Sequence, residues 1–454
     1  MKLFKRISVL LLTLAILIGA CSCSALKDAA GDGFGGAPMS PGIGSSGFDG
    51  GTTGDSDLMF GEGESADSAE GEPGAEFKPD EEGTTVKIPA GLITAGAWND
   101  NENYADWKAL FEQNSETEKN GKFYNYTDAN SWGFDSYRRL KVNVSLSDEG
   151  EPVAGAAVTS KSADGTVIFE AVTDANGTAY LFTDGEAGKV TVSSGIYTAT
   201  ADYTGASDEE ISVKLEGKAE KKDIIDIMFV IDVTGSMGDE LYFLKNEIAD
   251  VINRVSESYS DATINLALLF YRDDGDKEKF AYHDFTNVTD SAGLAAVQTA
   301  LDGQQASGGG DYPEAVDEAL ELAVGKQWNS AATTKLIFHL LDAPPHSKNT
   351  NMTRYKTAVE NAAKQGIRIC PILCSGAETL TEYLVRQASI YTAGTFIFVT
   401  DDSGIGGSHH DPGLPNVTVE ALNSLLVRII GGYHSGEFAP PVYYKEDQAL
   451  NQQK

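Results

Sequence analysis

The second half of the chain alternates uninterrupted apolar runs with segments of helical periodicity. Runs of this kind suit strands covered on both faces, and they are Ile224–Ile231, Ile264–Tyr271, Leu336–Leu341, Ile367–Leu373 and Thr395–Val399. The predicted helices are 238–258, 290–301, 313–325, 353–365, 377–390 and 417–431. Phe280–Phe285 follows the preceding run too closely for a crossover helix, so it is predicted as an antiparallel edge strand. The pattern predicts an α/β domain with a doubly wound sheet over residues 223–433.

Residues 138–217 show a different period, in which apolar and polar residues alternate. Val142, Val144 and Leu146 are one such set, and Asn176-Gly177 is one of several turn signals between sets. The pattern predicts a small all-β sandwich. The stretch Glu151–Val158 resembles carboxypeptidase regulatory-like and related Ig-like modules, which implies a spacer. Residues 85–137 are predicted to be a transition segment packing on the sandwich. Its three tryptophans, which are more typical of a core cap than of a binding platform, are Trp98, Trp107 and Trp132.

The N-terminus has the pattern of a targeting segment. A basic start precedes the apolar run Ile7–Ile18, which is too short to span a bilayer, so residues 1–20 are predicted to be a signal peptide. Ile18-Gly19-Ala20-Cys21 resembles a bacterial lipobox, which implies lipidation of Cys21. The alternative is an ordinary secretory signal with an incidental cysteine. Residues 21–84 are rich in Gly, Ser and acids and are predicted to be a disordered tether, while residues 434–454 are predicted to be a tail. We therefore expect an extracytoplasmic protein, held at a bacterial membrane by its lipid anchor only.

Charge and cysteine content narrow the classes of partner and fold. The chain has 34 Lys plus Arg and 68 Asp plus Glu, a formal net charge of −34. This charge argues against nucleic-acid backbones and anionic membrane surfaces as partners. Cys370 and Cys374 lie four residues apart in one predicted strand, too far apart for a disulfide. The core is therefore predicted to form without disulfides.

Candidate chemistry follows the first strand of the α/β domain. Asp232, Thr234 and Ser236 alternate directly after the strand, at the sheet edge where doubly wound folds bind ligands. A carboxylate with hydroxyls suits hard cations such as Mg²⁺, Mn²⁺ or Ca²⁺ rather than zinc or copper. The alternative from these residues alone is a helix N-cap cluster.

The Asp-x-Thr-x-Ser spacing resembles the metal-ion-dependent adhesion site of von Willebrand factor type A domains, and the order of strands and helices also agrees with that family. The resemblance implies two further metal loops. The glycine-rich run Gly308–Pro313 precedes Glu314, as in the integrin beta-subunit variety, and Asp342 ends the fourth core strand. The resemblance to this family implies that Asp232, Thr234, Ser236, Glu314 and Asp342 together hold one Mg²⁺ or Mn²⁺ ion.

The same resemblance suggests flanking cation sites that would take Ca²⁺. Asp239 and Glu240 correspond to one of them. Asp273, Asp311 and the Pro313 carbonyl, together with Glu314, correspond to the other. The alternative for Asp239 and Glu240 is that they are first-turn acids, which favour the positive end of a helix dipole.

The resemblance implies that the domain binds a protein ligand, whose acidic side chain completes the coordination of the metal. It does not imply an enzyme. One alternative is a cell-envelope scaffold in which the metal is purely stabilising. A less favoured one is a metal-dependent hydrolase that uses His346, His409 or His410, because no nucleophile or phosphate-loop motif is present. Zinc at His409 and His410 is disfavoured further, since adjacent side chains rarely reach one ion.

Overall fold

The structure is a computed structural model that describes residues 89–113, 120–127, 132–147 and 150–451. The predicted signal peptide, Cys21 and the tether of residues 21–84 lie outside these ranges. Among the described helices, none combines the length and the apolar character that a membrane crossing requires.

The described chain contains fifteen strands and eight α-helices. The strands are β1 (Thr94–Trp98), β2 (Arg139–Leu146), β3 (Ala157–Ser162), β4 (Val167–Val172), β5 (Thr178–Phe182), β6 (Gly188–Ser194), β7 (Tyr197–Tyr203), β8 (Asp208–Leu215), β9 (Lys222–Asp232), β10 (Thr263–Tyr271), β11 (Phe280–Asn287), β12 (Ala332–Leu341), β13 (Arg368–Leu373), β14 (Phe396–Val399) and β15 (Glu420–Ala421). The helices are α1 (Tyr104–Ala109), α2 (Gly238–Ser258), α3 (Ser291–Asp302), α4 (Val316–Val324), α5 (Asn349–Gln365), α6 (Thr379–Tyr391), α7 (Leu422–Ser435) and α8 (Tyr444–Asn451).

One sheet of eight strands, in the order β11-β10-β9-β12-β13-β14-β1-β15, organises the α/β part, which we call the sheet domain. Its five central strands, β10, β9, β12, β13 and β14, are all parallel to one another. Strand β11 pairs antiparallel with β10 at one edge. The predicted α/β class and the antiparallel edge strand are confirmed. Each of the five central strands is nearly or wholly buried, as the continuous apolar runs indicated.

Strand β1 corrects the predicted domain boundaries. It lies between β14 and β15 and pairs antiparallel with both, with Ala95 opposite Val399 and Thr94 opposite Ala421. A side chain at Gly96 would overlap the ring of Phe398, with a Cβ only 2.5 Å from the ring. The sheet domain therefore begins well before residue 223, and the β-rich residues 139–215 are an insertion in it. A five-residue strand gives too little sequence signal to show this.

Glu247 of α2 holds the segment that leads into β1. Its carboxylate is buried and accepts hydrogen bonds from the backbone N–H groups of Gly91, Leu92 and Ile93, at 2.7–3.1 Å. Burial raises the pKa of Glu247 to about 7, while these three N–H groups lower it. One side chain thus joins the start of the sheet domain to the helix that follows its first parallel strand.

Glu247→Gln should lower the free energy of unfolding by about 1–2 kcal/mol, because the neutral amide is a weaker acceptor than the carboxylate for three buried N–H groups. Urea denaturation of the full chain measures this loss. Glu257→Gln, at an exposed position near the other end of α2, should change the stability by less than about 0.5 kcal/mol. Equal stability of the two variants would show that the three bonds contribute nothing.

The seven strands β2–β8, which we call the β-module, form two sheets. Their orders are β5-β2-β8 and β4-β3-β6-β7. Inward side chains of both sheets, such as Val142 and Val192, belong to one hydrophobic core. The alternation of apolar and polar residues indicated these strands correctly.

The described parts of residues 99–137 contact the β-module, where Arg139 of β2 lies against Asn101 and the Tyr104 ring, and they also pack against the sheet domain, which corrects the predicted packing on the β-module alone. Trp107 and Phe123 are fully buried, and the ring of Phe123 lies 5.4 Å from that of Tyr383 in α6. Trp132 contacts Tyr355 of α5 edge to face, at 6.1 Å. The tryptophans therefore complete a core, as predicted, but a large part of that core belongs to the helices beside the sheet.

Arg386 of α6 is the centre of a buried ionic cluster in the same region. Its guanidinium donates to Asp100 at 2.5 and 3.0 Å and to Glu382 at 2.9 Å. The rings of Trp107 and Phe123 lie 5.3 and 5.5 Å from the guanidinium carbon. The cluster thus joins Asp100, Trp107 and Phe123 to α6 through charge pairing and cation–π contacts.

The predicted tail is partly folded. Tyr444, at the start of α8, is buried and donates its backbone N–H to the Val419 carbonyl. Gln448 donates to the Gly91 carbonyl at 3.3 Å. Residues 434–451 therefore belong to the sheet domain, which corrects the expectation of a free tail beyond 433.

Candidate metal centre

Three loops meet at the carboxyl ends of the parallel strands. The first loop is 232–237 after β9, the second is 306–315 before α4, and the third is 342–346 after β12. Gly235 N–H donates to the Gly308 carbonyl at 3.1 Å, and Glu314 N–H donates to the Pro344 carbonyl at 3.0 Å. These two backbone hydrogen bonds connect the second loop to the first and the third, so the three loops form one hydrogen-bonded unit at this edge of the sheet.

The first loop gathers three oxygen-bearing side chains. Asp232 is fully buried, and its Oδ1 accepts from the backbone N–H and the hydroxyl of Thr234, at 2.8 and 2.7 Å. The Thr234 and Ser236 hydroxyls lie 3.2 Å apart. The alternating residues Asp232, Thr234 and Ser236 are therefore brought together, as the spacing predicted.

The second loop brings Glu314 to this group, and glycine at position 309 is necessary for its approach. Gly309 has a φ of +72°, which disfavours L side chains. A Cβ there would lie 2.9 Å from Glu314 Oε1 and 3.3 Å from Thr234 Cβ. The glycine-rich run thus allows backbone, Glu314 and Thr234 to pack together.

Each of the three acids in this group has a carboxylate oxygen that is buried without a hydrogen-bond partner among the described residues. These atoms are Asp232 Oδ2, Glu314 Oε2 and Asp342 Oδ1. Within the described ranges, no lysine, arginine or histidine forms an ion pair with any of the three. Buried carboxylates normally have such partners, because an unpaired charge in a low-dielectric site is costly. The group therefore lacks a positive charge.

The pKa values of the three acids reflect this missing charge. Burial, together with the nearby charge of Asp342, raises the pKa of Asp232 to about 7. Burial and then the charge of Asp232 raise the pKa of Glu314 to about 9. Burial also raises the pKa of Asp342 to about 6, although the neighbouring Ser236 hydroxyl lowers it. Desolvation and mutual repulsion act together, and a bound cation would oppose both.

The donor set suits a hard divalent cation. Carboxylate and hydroxyl oxygens are the ligands that Mg²⁺, Mn²⁺ and Ca²⁺ prefer. In the part of the chain that the structure describes, no group of three or more His, Cys, Asp or Glu side chains is arranged to hold a metal by itself.

The residues predicted for flanking sites are only partly brought together. Asp239 is exposed in the cleft, whereas Glu240 is buried and its Oε1 binds the Ser375 N–H at 3.0 Å and His409 Nε2 at 2.7 Å. Asp239 and Glu240 thus have opposite environments. Asp273 is buried, and its Oδ1 lies 2.9 Å from His346 Nε2.

Asp311 and Pro313 lie on the rim of the second loop. Asp311 is exposed and Pro313 is half-buried. Asp273 is close enough to Glu314 for its charge to raise the pKa of that acid. The second predicted flanking set is thus loosely clustered, and its buried member Asp273 is already paired with a histidine.

Asp276 is a site residue that the sequence reasoning missed. Its Oδ2 accepts from Gly309 N–H at 2.9 Å and from Asp273 N–H at 3.1 Å. These bonds fix the glycine-rich loop above Asp232, Thr234, Ser236, Glu314 and Asp342, which we call the metal group because they are the residues predicted to hold a cation. The available signal was Asp273-Asp274-Gly275-Asp276, an acidic turn after a strand end. Its role depends on a contact with a loop 33 residues away, which no local pattern shows.

The histidines considered for a hydrolase are bound to carboxylates. His409 contacts Asp401 through Nδ1 and Glu240 through Nε2, each at 2.7 Å. Burial lowers its pKa, but these two bonds raise it overall. His410 Nε2 lies 2.7 Å from Glu382. The pair holds residues 401–413 against the starts of α2 and α6.

An open cleft of about 670 Å³ lies above the metal group. Its walls are mostly glycine and serine from the first two loops and from residues 375–376 and 407–408, and Glu314 and Asp342 contribute to its lining. Asp239, Asp311 and Tyr312 are also among the lining residues. Two of the three unpaired acids, Glu314 and Asp342, thus line an open cleft whose other side chains are mostly small, and Asp232 lies buried behind them.

Comparisons with known proteins agree with the geometry at the level of the domain. Residues 226–391 match the von Willebrand factor A domain family, which confirms that part of the resemblance. An ariadne-like RING finger protein of Acanthamoeba polyphaga mimivirus is 27% identical over 129 residues, and an alpha-protein kinase of Dictyostelium discoideum is 26% identical over 136 residues. These alignments cover 28% and 30% of this chain but only 12% and 21% of the relatives.

Among solved structures, the pilus adhesin SpaC of Lactobacillus rhamnosus GG is similar in two crystal forms. One match has a TM-score of 0.30 at 12% identity and covers 47% of this chain and 30% of the adhesin. The other, to the open conformation, has a TM-score of 0.33 at 11% identity and covers 56% and 33%. The chain thus spans about a third or less of the length of these relatives and structures.

Proposed function

We propose that the von Willebrand factor A domain of this chain binds a partner protein through a divalent cation. Asp232, Thr234, Ser236, Glu314 and Asp342 would hold Mg²⁺ or Mn²⁺, and an acidic side chain of the partner would complete the coordination. The observation that supports this most strongly is the set of three buried carboxylate oxygens without partners, two of which belong to acids that line an open cleft, Glu314 and Asp342.

The residues of the site have distinct roles in this proposal. The Thr234 N–H and hydroxyl fix the orientation of Asp232. The glycine-rich second loop lets Glu314 approach Thr234, and Asp276 fixes that loop through Gly309 N–H. When bound, the cation supplies the positive charge that attracts a ligand carboxylate. The small side chains around the cleft leave room for that ligand.

The rest of the chain would present this site outside the cytoplasm. Cys21, which lies outside the described residues, would be lipidated, and residues 21–84 would be the tether to the membrane. The β-module would be a spacer. Ca²⁺ at the flanking sites remains part of the hypothesis, both for Asp273 and Glu314 with the Asp311 and Pro313 rim and for Asp239 with Glu240. Glu240 Oε1 is engaged by His409 and the Ser375 N–H, whereas Glu240 Oε2 is buried without a hydrogen-bond partner among the described residues.

Two other functions are less well supported. A scaffold with a purely stabilising metal does not account for an open cleft directly above the metal group. A hydrolase would need a base beside the metal group, and none of His346, His409 and His410 lines the cleft over it.

Titration calorimetry of Mg²⁺, Mn²⁺ and Ca²⁺ into the full chain should show saturable binding, and Ser236→Ala should weaken it by about 10- to 100-fold. This is the range for loss of a group that supports a metal site. Ser260→Ala, which changes an exposed serine two residues beyond the far end of α2, should bind like the parent.

The same preparation separates a binding function from a scaffold. A blocked peptide with one glutamate should bind in Mg²⁺ and should be released by a chelator. Cation binding with no peptide binding would favour the scaffold. No cation binding in the parent would contradict the site itself.

A further inference from the structure

We propose that Arg272, together with Asp276, is a positioning residue that makes the metal group selective for Mg²⁺ over Ca²⁺. Both lie in residues 272–279, between β10 and β11, which we call the clasp loop. They act through the backbone of the second loop, which carries Glu314. This inference rests on the proposed function of the metal group and adds two residues outside that group.

Arg272 fixes the start of the second loop. The residue is only 8% exposed. Its guanidinium donates to the backbone carbonyls of Gln305 at 2.9 Å, Ser307 at 3.0 Å and Glu278 at 3.0 Å. The guanidinium is planar and its donors form a fixed fork, so these bonds set the position of residues 305–307 relative to the clasp loop.

The surroundings of Arg272 support a role in positioning. A buried guanidinium is usually paired with a carboxylate, because an unpaired buried charge is costly. Within the described ranges, Arg272 forms no ion pair, and the acceptors of its side chain are the three neutral carbonyls. Its backbone N–H donates to the Lys279 carbonyl at 2.9 Å, which closes the clasp loop on itself. The donors of Arg272 are thus directed at the backbone of the clasp loop and of residues 305–307.

Asp276 fixes the same loop at its glycines. Its Oδ2 accepts from Gly309 N–H at 2.9 Å, and a Cβ at Gly308 would lie only 2.4 Å from that oxygen. Gly309 in turn packs against Glu314, since a Cβ there would lie 2.9 Å from Glu314 Oε1. The contacts therefore run from the clasp loop through the glycine backbone to a residue of the metal group.

A fixed ligand position distinguishes the two cations by their coordination. Mg²⁺ demands near-ideal octahedral geometry at about 2.0–2.1 Å, whereas Ca²⁺ accepts roughly six to eight oxygens at about 2.3–2.6 Å in flexible arrangements. The second loop is also tied to the first, because Ser307 N–H donates to the Val233 carbonyl at 3.0 Å. A loop held from both sides has little freedom to widen around the larger ion, which favours Mg²⁺.

Titration calorimetry with the full chain tests this inference in Arg272→Lys, whose single ammonium group keeps the charge but cannot replace the planar fork. Mg²⁺ is titrated first, and Ca²⁺ is then titrated into the Mg²⁺-loaded chain, so that both cations are compared at the same site. We expect Mg²⁺ to bind about 10- to 100-fold more weakly than in the parent, the range for loss of a residue that supports metal ligands. Ca²⁺ binding should weaken by less than about threefold, because its coordination is more flexible. Asp276→Ala should lower the ratio of Mg²⁺ to Ca²⁺ affinity in the same direction.

Arg368→Lys is the matched control. Arg368 is also 8% exposed and also donates to a backbone carbonyl, that of Thr392 at 3.3 Å. It lies at the start of β13, at the end of the parallel strands away from the cleft. This variant should lower the melting temperature in a chelator without changing the ratio of Mg²⁺ to Ca²⁺ affinity.

Three outcomes would overturn the inference in distinguishable ways. Equal weakening of Mg²⁺ and Ca²⁺ binding by Arg272→Lys, or an unchanged Mg²⁺ affinity, would refute the positioning role and leave the cation site intact. The same change of ratio in Arg368→Lys would show that a general loss of stability is the cause. A parent chain that binds neither cation would refute the proposed function as well.

Discussion

Addition of Mg²⁺ should raise the melting temperature of the metal-free chain by about 5–10 °C at pH 8, and Asp232→Ala should abolish this rise. A ligand that binds only the folded state, at about 100 times its dissociation constant, contributes about 2.7 kcal/mol. Each kcal/mol shifts the melting temperature by about 2–4 °C in a domain of this size class. Differential scanning calorimetry with and without a chelator measures the shift.

The size of this stabilisation should depend on pH in a defined direction. Asp342, Asp232 and Glu314 have folded-state pKa values of about 6, 7 and 9, all above the values of about 4 expected in the unfolded chain. In the metal-free chain, their contribution to stability is fully present below about pH 4. It is lost as the pH rises through these folded values.

A bound cation keeps the carboxylates charged without the repulsion, so this loss should disappear when Mg²⁺ is present. The difference in melting temperature between the two conditions should therefore grow from pH 5 to pH 9. The difference also cancels the contribution of Glu247, whose raised pKa is independent of the metal group. A shift of the same size at every pH would contradict the assignment of the three acids as ligands.

The stability of Asp232→Ala without a cation tests whether the three buried acids repel one another. In a chelator, removal of one of three repelling buried acids should offset part of the packing loss, so this variant should be nearly as stable as the metal-free parent. A variant that fails to fold in the chelator would show that Asp232 has a structural role beyond the site. Asp232→Asn, which keeps the shape of the side chain, should then recover folding but not cation binding.

Arg386→Met should lower the free energy of unfolding by about 3–5 kcal/mol, the cost of leaving a buried charge without its partner. The variant leaves the fully buried Asp100 carboxylate without the guanidinium that it contacts at 2.5 Å. It also removes cation–π contacts with Trp107 and Phe123. Urea denaturation of the full chain measures the loss.

Two matched variants show whether charge burial is the cause. Asp100→Asn/Arg386→Met removes both charges and should recover much of the lost stability. Lys189→Ala breaks the exposed pair between Lys189 and Asp202 and should cost less than about 1 kcal/mol. If Arg386→Met were as mild as Lys189→Ala, residues 99–123 would not be held to α6 by this cluster.

The parts of the fold that follow from local periodicity were predictable. The helix at 238–258 was predicted to the residue, and the edge strand at 280–287 was predicted in position and direction. Strand β1 was not predictable, because five residues around Gly96 give no clear period and their partners lie about 300 residues away. The folded segment after residue 433 was missed for the same reason. Its contacts are to Gly91 and Val419.

In the candidate site, too, residues close together in the sequence were predictable, whereas contacts between distant segments were not. The sequence predicted that Asp232, Thr234 and Ser236 would converge, because alternate residues after a strand face one side. It also indicated Glu314 and Asp342 through the family resemblance. It did not show that His409 and His346 bind Glu240 and Asp273, since those pairs join residues 169 and 73 positions apart. Adjacent acids in the sequence therefore have opposite environments in the fold.

The position of β1 has a consequence for the order in which the chain folds. Residues 94–98 are synthesised early, but both of their neighbours in the sheet, β14 and β15, are synthesised about 300 residues later. At about 5–20 residues per second, this strand waits roughly 15–60 s for its partners. The β-module can pair its own strands during that interval. We therefore expect the eight-stranded sheet to be completed only after β15 has been synthesised, and until then the edge of β14 has no partner strand.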